Sequence, residues 1–73
     1  MTALRPIEVG DRFEDKDPRN AGRVVEVREV DWTGTDRHVK VQVEVHPKNP
    51  SAVGHHSWLS AETVITKYRR ISR

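Results

Sequence analysis

Cysteine is missing from all 73 positions, which excludes disulfide bridges, thiolate nucleophiles and any metal centre built on sulfur. Long apolar runs are missing too: no stretch exceeds two consecutive hydrophobic residues, whereas a membrane helix needs about 20. The opening residues Met1–Pro6 hold no apolar segment followed by small residues, so no secretory leader is expected and the expected compartment is cytoplasmic. The one Asn-Pro-Ser, at Asn49, carries proline in the position that blocks glycosylation. Aromatic residues are scarce: Phe13, Trp32, Trp58 and Tyr68 are the whole set.

With 34% hydrophobic residues, the chain reads as one small domain, 1–73, with residues 1–6 as a flexible N-terminal arm. Such a domain buries about 60% of its unfolded surface, so its core is thin. Net charge is +2, but it is unevenly spread. Residues 1–36 hold nine acids and six bases, and residues 37–73 hold two acids and seven bases. The densest basic run is Lys67-Tyr68-Arg69-Arg70-Ile71-Ser72-Arg73, a candidate positive face toward an acidic partner.

The hydrophobic period is two. Val39, Val41, Val43 and Val45 alternate with Lys40, Gln42 and Glu44, which predicts a half-buried strand with the valines inside. Val25 and Val27 do the same, but Val30 and Trp32 fall on the other parity. A bulge near Arg28-Glu29 brings both sets to one face and places Trp32, with Phe13, in the core. Gly10, Gly22, Gly34 and Gly54 fall between extended segments, two of them beside Asp-Pro or Pro-bearing turns. The predicted strands are 8–14, 23–32, 38–46, 55–60 and 66–72. Ser60 can cap a single 3₁₀ turn before the last of them. Tyr68 and Ile71 are three apart and cannot both face inward; the pattern leaves that choice open. The expected architecture is all-β, a small five-stranded antiparallel barrel.

Ile7-Glu8-Val9-Gly10-Asp11-Arg12-Phe13, a turn, and then Gly22-Arg23-Val24-Val25-Glu26-Val27 resemble the KOW motif of SH3-like barrels. The resemblance covers 7–32, and the strand at 38–46 extends it. It implies an SH3-like barrel that binds RNA, DNA or another protein through loops and one exposed strand. The whole chain is also similar to short proteins of actinobacteria and their phages, a group with no settled activity. That likeness rests on Asp15, Asp17, Pro18, Arg19, Gly22, Arg23 and Lys67 to Arg70.

No enzyme is expected. Asp15 and Asp17 sit in a Pro-containing turn, where aspartate caps its own backbone, and no nucleophile motif or phosphate-cradling loop accompanies them. No metal or cofactor is expected either. His55 and His56 are adjacent and point to opposite faces of a strand, and His38 and His46 share the solvent parity of Lys40. The expected partner is a nucleic acid, met by Lys67, Arg69, Arg70 and Arg73 with Lys40 and Lys48, with Trp58 and Tyr68 as stacking platforms. Arg37 and Trp32 are further candidates for the same roles. The alternative is a small regulatory protein, of phage or host, that docks on another protein through an edge strand, through the loop 47–54 or as a homodimer. No membrane partner is expected.

Overall fold

The computed structural model describes residues 6–32 and 37–72. Five strands, β1 (Arg12–Asp15), β2 (Val24–Asp31), β3 (His38–Val45), β4 (His56–Ser60) and β5 (Tyr68–Ser72), make one antiparallel sheet in the order β4-β3-β2-β1-β5. The first four form a meander. A helix, α1 (Ala61–Lys67), then carries the chain from β4 back so that β5 lies beside β1. The sheet curls around a core of Ile7, Phe13, Val25, Val27, Val39, Val41, Val64 and Tyr68. Period-two alternation supplies most of that list, because successive strand residues point to opposite faces.

Three register shifts bend the sheet and decide which side chains enter the core. In β2, Val27 pairs with Val41 and Glu29 with Lys40, so Arg28 is the extra residue, where a bulge is expected. It returns Val30 to the inner face, packed against the core. Trp32 lies beyond the end of β2 and is 41% exposed, its ring under the Arg37 guanidinium at 5.9 Å; it is not a core residue. In β3, Val24 pairs with Val45 but Val25 with Val43, which makes Glu44 an extra residue and reverses the parity after it. Val45 is therefore turned out, while His46 is carried inward to 7% exposure, the reverse of the expected solvent position. His38 is half-buried, flanked by Asp31 and Ser60 on the neighbouring strands.

The third shift settles the choice between Tyr68 and Ile71. Phe13 pairs with Arg70 and Arg12 with Ser72, so Ile71 bulges out and is exposed, whereas Tyr68 opposite Asp15 is buried.

The segment before β5 is a two-turn α-helix rather than the single 3₁₀ turn expected. Ser60 Oγ accepts the Thr63 N–H at 3.1 Å, a side-chain cap, and the Tyr68 N–H closes the other end on Val64 O. Four of its seven residues are β-branched, and an isolated helix of this length has no stability of its own. Burial of Val64, fully shielded from solvent, holds it in place. The 3₁₀ turns lie elsewhere, at Pro18–Asn20 and Pro50–Ala52.

Gly22 leaves the β1–β2 loop at φ +86°, and a Cβ there would sit 2.9 Å from Pro47 Cγ. Both the conformation and the contact require glycine. Of the expected N-terminal arm only Pro6 is described, and its carbonyl accepts from Arg70 Nη2 at 3.4 Å. Among the described residues no helix is long and apolar enough to cross a membrane.

Candidate binding surfaces

The outer surface of the sheet is paved with opposite charges. Arg12 Nε lies 2.7 Å from Glu44, Arg28 Nη1 3.0 Å from Glu26, Lys40 Nζ 3.2 Å from Glu29, and Arg69 Nη2 2.7 Å from Glu14. The sheet brings these groups together because outward-facing residues share one surface. They meet along a single strand for Arg28 and Glu26, between adjacent strands for Lys40 and Arg69, and across β2 for Arg12 and Glu44. Each exposed pair adds little stability, but together they cancel the field that would attract phosphate. Two residues of the expected basic patch, Lys40 and Arg69, are in this set.

Arg70 points the other way, into the domain. Its Nη1 pairs with Asp11, which is completely buried and also accepts the Glu8 N–H at 2.9 Å. Its guanidinium lies over the Phe13 ring at 5.2 Å. Tyr68 is enclosed too, its hydroxyl accepting from Arg23 Nη2, which also lies 2.6 Å from Asp15 Oδ2. Burial raises the Tyr68 pKa, and the neighbouring Arg23 only partly offsets it. Arg70 and Tyr68 are thus built into the fold, and Tyr68 offers no stacking platform. Arg73 lies outside the described residues.

The β1–β2 loop is organised by its aspartates, as the turn chemistry predicts. Asp15 accepts the Asp17 N–H at 2.8 Å and Asn20 Nδ2 at 3.2 Å. Asp17 accepts the Arg19 N–H at 2.9 Å and pairs with its guanidinium at 2.8 Å. The Arg19 side chain, then its backbone N–H, pull the Asp17 pKa down to about 2. The burial of Asp15 and its pairing with Arg23 are not foreseen in the sequence reading. The signal was there: Asp11, Phe13 and Asp15 share one parity, so two carboxylates face inward and demand cationic partners.

Three lysines remain. Lys16, Lys48 and Lys67 are exposed, and none has a carboxylate within ion-pair distance among the described residues. All three gather at the β1–β2 loop. Lys16 N–H donates to Lys67 O at 3.1 Å, Lys16 Nζ reaches Thr66 O at 3.1 Å, and Lys48 Nζ reaches Pro18 O at 3.5 Å. Between this loop and α1 lies an open cleft of about 440 Å³, lined by Lys16, Lys67 and Arg23 and also by Asp15 and Asp17, the two aspartates already paired with Arg23 and Arg19. Lys48 and Lys67 belong to the expected set; Lys16 does not, because its acidic neighbours in sequence masked it.

Trp58 is exposed, as expected, and stands on the outer surface opposite Lys40. The loop 47–54 is closed on itself: Asn49 N–H bonds His46 O at 3.1 Å, Ala52 N–H bonds Asn49 O at 2.9 Å and His55 N–H bonds Ala52 O at 3.0 Å. Among the described residues no three His, Cys, Asp or Glu side chains converge as metal ligands. Comparison of the chain with protein-family models, with curated proteins and with solved structures gives no match in any of the three.

Proposed function

We propose that this chain is a non-enzymatic, SH3-like binding module that holds a nucleic acid at the lysine-rimmed β1–β2 loop, in the cytoplasm of an actinobacterium or of a phage-infected cell. The strand order supports the SH3-like reading: a four-stranded meander, then a helical turn, then a last strand beside the first. The observation that carries the binding reading is the gathering of Lys16, Lys48 and Lys67 without carboxylate partners, on a molecule whose other described strand cations are ion-paired. The interface so drawn keeps Lys48 and Lys67 and moves away from Arg69, Arg70 and Lys40. Three phosphate contacts give a salt slope of about −2 on single strands.

The test is fluorescence anisotropy with labelled single-stranded DNA, duplex DNA and RNA at low and physiological salt. Saturable binding that weakens with salt, disappears in the Lys16/Lys48/Lys67→Gln variant and survives Arg69→Gln is the expected result. Flat titrations at low salt overturn it. A second reading, docking on a protein, is favoured by one observation: Trp58 is 51% exposed on a strand at the edge of the sheet. Salt-tolerant capture of one protein, abolished by Trp58→Ala, is its signature.

A further inference from the structure

The hydrogen-bond phase of β4 is fixed at its start. Gly54, at φ +94°, donates to Val43 O at 2.8 Å while Val43 donates to His55 O at 3.0 Å, a glycine bulge that sets two residues against one. From there every second residue faces β3, through Ser57 and Leu59, as far as the Ala61 N–H on Arg37 O at 2.8 Å. The main-chain groups of His56 and Trp58 consequently point away from β3. Among the described residues no strand lies on that side, since β4 is terminal in the sheet, and His56, Ser57 and Trp58 are all exposed.

The two edges of the sheet are treated differently. β5 carries Arg69, Arg70 and the bulge at Ile71, devices that blunt an edge against further pairing. β4, His56-Ser57-Trp58-Leu59-Ser60, has no lysine, arginine, carboxylate or proline, and its register with β3 runs without a shift from His38 to Gln42. It is an open template.

We propose that β4 pairs antiparallel with β4 of a second copy of this chain, about a two-fold axis at Ser57. This names the partner for the protein-docking reading and rests on it, not on the nucleic-acid reading. The two-fold sets His56 of each copy opposite Trp58 of the other. Those are the residues whose N–H and C=O groups are unpaired, so both strands are satisfied by one register. A neutral strand meets a neutral strand, and no like charges are opposed; a partner selected by charge would find none on β4 to read. The indole and imidazole that meet on the outer surface bury Trp58, and a thin core gains from an added interface.

Sedimentation equilibrium from low micromolar to millimolar concentration, with amide hydrogen exchange on the same samples, tests this. The expected result is a monomer–dimer equilibrium. With it, exchange at His56 and Trp58 slows roughly tenfold or more as concentration rises, while Ser57 and Leu59 stay protected throughout. Trp58→Lys is expected to give a monomer with Ser57 and Leu59 still protected, and Ile71→Lys on the opposite edge to leave the equilibrium unchanged. A protein that stays monomeric to millimolar concentration, with fast exchange at His56 and Trp58, overturns self-pairing. So does a dimer indifferent to Trp58→Lys. Capture of a different protein through Trp58 by that monomer keeps the docking reading while self-pairing fails.

Discussion

Arg69 and Arg70 are neighbours in a basic run and look alike in the sequence, yet one is a surface residue and the other a strut. The parity of β5 separates them: Arg69 reaches Glu14 in solvent, and Arg70 neutralises a carboxylate that has no access to water. Arg70→Gln removes the guanidinium paired with the fully buried Asp11, and breaking a buried pair costs about 3–5 kcal/mol, enough to unfold a domain of this size. Arg69→Gln is expected to stay within about 1 kcal/mol, and thermal melts of both variants check the contrast. Tyr68 makes a prediction in pH. Its pKa is raised in the fold above 10.0, so its contribution to stability is complete below that value and is lost as pH rises through the folded one. Tyr68→Phe removes this alkaline loss, visible as a flatter melting temperature above pH 10 than the parent shows. The period-two pattern made Phe13, Val25, Val27, Val39 and Val41 legible as core. It did not reach Tyr68, His46 or Val45, because each is placed by a one-residue slip that alternation alone does not register.

The strands were readable as elements and the helix was not. β-Branched alternation marks β2 and β3 without ambiguity, and the same residue types in Thr63-Val64-Ile65-Thr66 argue against the helix they form. What holds α1 is one local bond, the serine cap, and one tertiary contact, the buried Val64. Ser60→Ala is expected to cost about 1 kcal/mol, with the loss seen in α1 exchange protection ahead of the sheet. Strand phase is tested by a pair of substitutions. Val41→Asp buries an unpaired charge at a position 3% exposed and is expected to unfold the domain. Lys40→Asp, one residue away on the outer surface, sets an acid beside Glu29 and costs no more than about 1 kcal/mol. Thermal melts in the reverse order would place the strand on the wrong face.

On the scale of the whole molecule, charge is arranged by the sheet and not by the sequence halves. The acidic first half and basic second half meet across strands: Glu14 with Arg69, Asp11 with Arg70, Glu29 with Lys40. The asymmetry that suggests a positive face is largely consumed in holding the halves together. Lys16 escapes this although it lies in the most acidic stretch of the chain: it follows the end of β1, and its ammonium reaches a helix carbonyl, Thr66 O, instead of a carboxylate. Mixing the protein with duplex DNA while varying salt tests the balance: the Arg69→Gln variant, which unmasks Glu14, is expected to change the salt slope by less than about 1, and each loop lysine removed to lower it by nearly that amount.

The pairing of β5 with β1 also has a temporal side. Asp11 and Arg70 are 59 residues apart in the chain, so during synthesis on a ribosome the segment leading into β1 waits for β5 before this ion pair can form. The β2–β3–β4 meander can assemble early, but closure over Ile7 and Phe13 waits until β5 has been made. Non-local closure of this kind slows folding, and a chain stalled before β5 emerges would present a half-formed sheet with both edges bare.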